Sequence, residues 1–128
     1  MRLLISAVLA LAANSASAGV VYYVDLVNTG PSSIVSFQVA PPGSDRFHSI
    51  LVGDRPLQGG GASSTVAIRE GDDGCLRDLR IGFADGRVLT HRGFDVCRYR
   101  SYHTDRYLHG VRGAQVSVTP RVDVGGGP

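Results

Sequence analysis

Two cysteines, four histidines and a scatter of carboxylates and hydroxyls are the residues of this chain with the chemistry for catalysis or metal binding. His48, His91, His103 and His109 invite a metal. His103 and His109 stand six apart, and no carboxylate or thiolate is marked as completing a tetrahedral set with them. Solvated or packed histidines are the expectation. Glu70, Asp72 and Asp73, beside Gly71 and Gly74, resemble a calcium loop only in composition. The alternating acid spacing is missing, and so is the bidentate glutamate that closes such a loop. They read as a solvated acidic turn. Asp78, flanked by Arg77 and Arg80, reads as one half of a surface ion pair.

Hydrolysis needs a nucleophile on a sharp elbow or a positioned Ser/His/acid set. Ser63, Ser64, Ser101 and His103 are present, but no G-x-S-x-G accompanies them. Nothing marks a pair of carboxylates for glycoside cleavage. Gly59-Gly60-Gly61 is a turn and not a phosphate cradle, because no Lys-Ser/Thr and no helix pattern follow it. The chain is therefore read without a catalytic residue, a metal ligand or a cofactor.

Cys75 and Cys97 are expected to be bonded to each other. The segment between them has the pattern of a hairpin: Leu79, Ile81 and Phe83 alternate with polar or small residues, and Asp85-Gly86 follows. Asp-Gly suits a two-residue type I′ turn, which needs φ > 0 at both central positions. That turn pairs Ala84 with Arg87. One bulge, naturally placed at Gly93, then sets Cys75 opposite Cys97, Leu76 opposite Val96 and Arg77 opposite Asp95. A disulfide, an apolar pair and an ion pair fall into register together.

The elements that position these residues are short strands. Val20 to Val27, Ile34 to Val39 and Ser64 to Arg69 are rich in β-branched and aromatic residues. Asn28 to Pro31 and Ala40 to Asp45 have turn chemistry. Asp45 to Leu51 reads as a short helical turn capped by Ser44 or Asp45. Arg98 to Tyr102 is expected to finish the last strand of the hairpin. The fold class is all-β: a small antiparallel sandwich, immunoglobulin-like in size, with one disulfide-tied hairpin. Residues 104–128 read as a poorly ordered tail, with Ala114 to Val118 able to add an edge strand.

Met1 to Ala18 has the layout of an export signal. Arg2 is the charged end, Leu3 to Ala13 the apolar stretch, and Ala16-Ser17-Ala18 the cleavage site before Gly19. The apolar run is too short to span a bilayer. A periplasmic or secreted mature chain is expected, as one domain over residues 19–103, in a compartment that oxidises cysteines. All 13 basic residues are arginine; without Arg2, 12 face 11 acids. The arginines alternate with aspartates instead of clustering, so no nucleic-acid partner is expected.

From Val27 to Cys97 the chain resembles a group of small exported bacterial proteins of unknown function. The residues that carry the resemblance are Asn28-Thr29-Gly30, Ile34 to Phe37, Leu51 to Gly53, Cys75 to Arg80, Phe83 to Gly86 and Asp95 to Cys97. Phe47 stands where that pattern has a tryptophan, and Val52 separates Leu51 from Gly53. The resemblance implies a periplasmic β domain and no known activity, substrate or catalytic residue. It does not reach beyond His103.

The functional expectation is a non-catalytic module that binds another envelope protein or a ligand. The alternative is a small periplasmic hydrolase or an inhibitor of one. Pro41 to Pro56 is the longest stretch without strand pattern, and long irregular loops on a sandwich are often functional. Phe47, Ile50 and Leu51 are expected to close one end of the core. That leaves Arg46, His48, Asp54 and Arg55, with Asp45, as the exposed binding candidates.

Overall fold

Val24, Leu26 and Asn28 of the first strand turn inward while Tyr23 and Asp25 turn out, the period-2 signature of a half-buried strand. The structure, a computed structural model, describes residues 20–69, 74–111 and 113–118. Residues 1–18 (the expected leader), the acidic residues Glu70, Asp72 and Asp73, and the tail from 119 onward lie outside the described residues.

Among the described residues the elements are β1 (Val21–Asn28), β2 (Ile34–Ala40), β3 (His48–Ser49), β4 (Ala62–Arg69), β5 (Leu76–Phe83), β6 (Arg87–Asp95), β7 (Ser101–His103), α1 (Thr104–Leu108) and β8 (Ala114–Val118). They form a three-stranded sheet, β4-β1-β7, and a five-stranded sheet, β3-β2-β5-β6-β8. The sheets pack face to face. Val24, Leu26, Val66, Ile68 and Tyr102 of the first meet Phe37, Val39, Leu79, Ile81 and Leu89 of the second in one apolar core. All pairings are antiparallel except β1 with β7, which is parallel. No helix among the described residues is long and apolar enough to cross a membrane.

The hairpin forms, with a different turn. Gly82 pairs with Val88, which leaves three loop residues, Ala84 to Gly86. Gly86 takes the left-handed conformation (φ 88°) and its N–H donates to the Phe83 carbonyl at 3.0 Å. Asp85 stays out of that region, because its carboxylate is committed to the Arg87 N–H (3.0 Å) and guanidinium (2.8 Å). The three-residue loop with a terminal left-handed glycine wins over the type I′ turn. The bulge sits at Gly93 as expected, with φ 74°.

The register at the open end is therefore one residue short of the expected one. Leu76 faces Asp95, and the Val96 N–H donates to the Cys75 carbonyl at 2.9 Å. The disulfide nevertheless joins Cys75 to Cys97, with Cα atoms 5.3 Å apart. Asp95 makes this possible by turning the chain: its carboxylate accepts from the N–H groups of Cys97 (3.0 Å) and Arg98 (3.1 Å). The Arg77–Asp95 ion pair does not form. Arg77 is buried, 3 % exposed, and its guanidinium donates to the carbonyls of Gly74, Leu76 and Arg69.

Past Cys97 the chain leaves the hairpin and does not extend it. β7 crosses to the other sheet and lies along β1, and the Asp25 N–H donates to the Arg100 carbonyl at 2.8 Å. Ala114–Val118 joins β6 as the edge strand. The short helix α1 has no counterpart in the sequence reading. Tertiary contacts hold it: the Thr104 hydroxyl donates to Asn28 (3.2 Å), the Asp105 N–H donates to Thr29 (2.8 Å), and Tyr107 and Leu108 pack on the core.

Candidate functional site

The segment Pro41 to Leu57 does two jobs. Its first half lies over the outer face of the five-stranded sheet. Its second half straps the side of the sandwich. The expected helical turn from Asp45 to Leu51 is absent, because Asp45 adopts φ 54° and the chain then pairs His48–Ser49 with β2. Ser44 caps a turn instead, its hydroxyl donating to the Pro41 carbonyl at 2.8 Å and accepting from the Arg46 N–H at 3.1 Å.

Asp78 roots the first half. It is 1 % exposed, so it is no surface ion-pair partner of Arg77 or Arg80. Its carboxylate accepts from the N–H of Gly43 (2.9 Å), the N–H of Gly93 (3.0 Å) and the Arg92 guanidinium (3.0 Å). Burial alone would raise its pKa. The two backbone donors and the arginine outweigh burial and hold the carboxyl below its ordinary value. Arg92 also reaches Asp45 at 2.8 Å, so one guanidinium ties the loop to the bulge. Farther along, Phe47 lies under Arg80, with the guanidinium carbon 3.9 Å from the ring centroid.

The strap, His48 to Leu57, is held at both ends and in the middle. His48 and Ser49 pair with Val39 and Gln38, and the Ile50 N–H donates to the Phe37 carbonyl at 2.9 Å. The Ser64 hydroxyl donates to the Val52 carbonyl, bridging the strap to β4. Leu57 exchanges two backbone bonds with Ile34, at 2.8 and 3.0 Å. Asn28 locks that end by donating its side-chain amide to Leu57 and Ser32, both at 2.8 Å. Of the three apolar side chains expected to close the core, only Ile50 packs on it. Phe47 serves Arg80, and Leu51 is 88 % exposed.

Two cavities flank the strap. One, of about 340 Å³, lies against β2, with Val35, Phe37, Ile50 and Pro56 in its walls and Asp54 and Arg55 at its rim. The other, of about 440 Å³, lies against β4 and includes His48. Of the four binding candidates, Asp54 and Arg55 thus share one cavity and His48 lines the other. Arg46 is exposed and lines neither. Val35 and Leu51 are site residues the sequence did not mark. A valine in a strand and a leucine beside it read as core, and only the bulge at Val35 and the strap's path turn them out.

The other reactive side chains are dispersed. His91 is buried against Phe94, Tyr102 and Tyr107, with Nδ1 3.1 Å from the Tyr102 hydroxyl. Burial pushes its pKa down, against a smaller opposing pull from Asp78. The Tyr102 hydroxyl is pushed up, first by burial. His109 pairs with Asp105 at 3.1 Å, and His103 lies exposed on β7. Ser64 is occupied by the strap, while Ser63 and Ser101 face solvent. Cys75, Asp95 and Cys97 are close enough to share an ion, but both sulfurs are spent on the disulfide.

Comparison of the chain with protein-family models, with curated proteins and with solved structures gave no match.

Proposed function

We propose that the mature chain is an exported, non-catalytic binding module that holds an envelope protein or ligand at the strap. The observation that carries this reading is Leu51. The residues on either side of it are bonded, Ile50 to β2 and Val52 to β4. The leucine is therefore held in solvent at the lip of two cavities, 88 % exposed, near Val35 at 55 %. A fixed, exposed apolar side chain beside a concavity is what a partner buries at little ordering cost. Asp54 and Arg55 at the rim supply polar specificity. Export is supported by the leader pattern of residues 1–18 and by the disulfide, a bond that persists in oxidising compartments.

The test is recovery of partners from envelope extract on the mature, oxidised protein, whose intact mass begins at Gly19. Leu51→Asp, or Asp54→Ala with Arg55→Ala, loses the recovered partner while the melting temperature holds. Unchanged recovery by a folded variant rules out the strap.

A further inference from the structure

The cavity between the strap and β4 separates two sheet edges. β3 borders the five-stranded sheet and β4 borders the three-stranded one. Among the described residues β4 pairs only with β1, so alternate N–H and C=O groups along its other side point away from any ladder. Natural edge strands are guarded by lysine, proline or a bulge. β4 has none of these: its eight pairs with β1 run without a shift, and its one charge, Arg69, is at its end. Its outward side chains before that charge, Ser63, Thr65 and Ala67, are small and leave a second backbone room to approach.

We propose that this slot takes an extended peptide segment of a partner, added as a strand on β4, with an apolar side chain opposite Ala67 and a carboxylate opposite Arg69. The proposal deepens the binding reading above and rests on it. Strand addition draws affinity from main-chain bonds and specificity from pockets for alternate side chains. The pocket here has Ile50 and Leu51 on one wall, Thr65 and Ala67 on the other. Both ionisable side chains among its described lining residues, His48 and Arg69, are bases. Asp25, opposite Thr65 on β1, already accepts the Thr65 hydroxyl at 2.8 Å. Opposite residues in a strand pair share a face, so the apolar and acidic positions of the peptide fall two apart.

The experiment pans a phage library of random linear nonapeptides on the mature, oxidised protein. Enriched peptides carry an apolar residue two positions from Asp or Glu. The synthesised peptide slows exchange of the outward-pointing amides between Ser63 and Ile68 at least tenfold. Arg69→Glu, a surface change, weakens it at least about fivefold and, on repanning, exchanges the acid for Lys or Arg. Ala67→Arg, which fills the slot, abolishes binding. Enriched peptides that ignore both variants and are lost with Val35→Asp overturn the slot and leave the binding reading standing at β2. Failure to enrich any peptide also overturns the slot, and the envelope pull-down then decides the binding reading alone. Self-association removed by Ala67→Arg puts a second copy in the slot and overturns the peptide.

Discussion

Asp78 and Arg92 meet at 3.0 Å on opposite sides of the β5–β6 bulge, and the same guanidinium reaches Asp45 at 2.8 Å. The buried acid thereby fixes the bulge, the loop root and an exposed arginine at once. Asp78→Ala leaves the Gly43 and Gly93 N–H groups without their acceptor, and a loss of about 3 kcal/mol is expected by urea unfolding. The folded carboxyl binds a proton less readily than the unfolded one. Stability from this group is complete above about pH 4 and drains away as pH falls through the lower folded value. Asp78→Asn has a shallower acid limb; an unaltered limb would show that the acid limb comes from other groups.

His91 acts in a separate pH window. Its ordinary value is 6.5, and burial among three aromatic rings lowers it in the fold. Below about pH 6.5 the unfolded chain takes up the proton first, so stability declines as pH falls from there. The melting temperature of the wild type is expected to drop between pH 7 and 5.5. His91→Phe keeps the rings packed and flattens that part of the profile.

The disulfide closes a loop with a sequence separation of 22. Replacing Cys75 and Cys97 together by alanine is expected to cost about 3 kcal/mol, less if the hairpin persists in the unfolded chain. Non-reducing peptide maps of the protein are expected to show the 75–97 cross-link; two alkylatable thiols would refute it.

Gly59 sits where the strap rejoins the sandwich. A Cβ there would run into the carbonyl of Gly30 and lie 2.8 Å from the Pro31 carbonyl oxygen, both backbone atoms. Gly59→Ala is expected to destabilise by about 2 kcal/mol, read from thermal melts. Ser63→Ala, a few residues on in the exposed face of β4, is the control and leaves the melt unchanged.

Local patterns were legible and their meeting points were not. Runs of β-branched and aromatic residues marked β1, β2 and β4, alternation marked β5, and the strand-like stretch Ala114–Val118 does add an edge strand. The bulge followed from Gly93. The turn did not, because Asp-Gly serves two loop lengths and the choice rests on Asp85 binding Arg87. Asp78 looked like a surface acid between two arginines, yet its partners lie 35, 15 and 14 residues away. Leu51 read as core because nothing in a sequence says that a strap is bonded on both sides of one side chain. The helix α1 is too short to carry a period and exists through Asn28 and Thr29.

The crossing of the chain after Cys97 sets an order of assembly. The β5–β6 hairpin is local, and such hairpins close in about 1–10 microseconds. The β1–β7 pairing joins Asp25 to Ser101, across most of the sandwich's sequence, and must await that long closure. Cys75 and Cys97 are thus expected to come together before the three-stranded sheet is complete. In an oxidising compartment the bond would then fix the point from which β7 sets out to find β1 while that half of the chain is still unfolded.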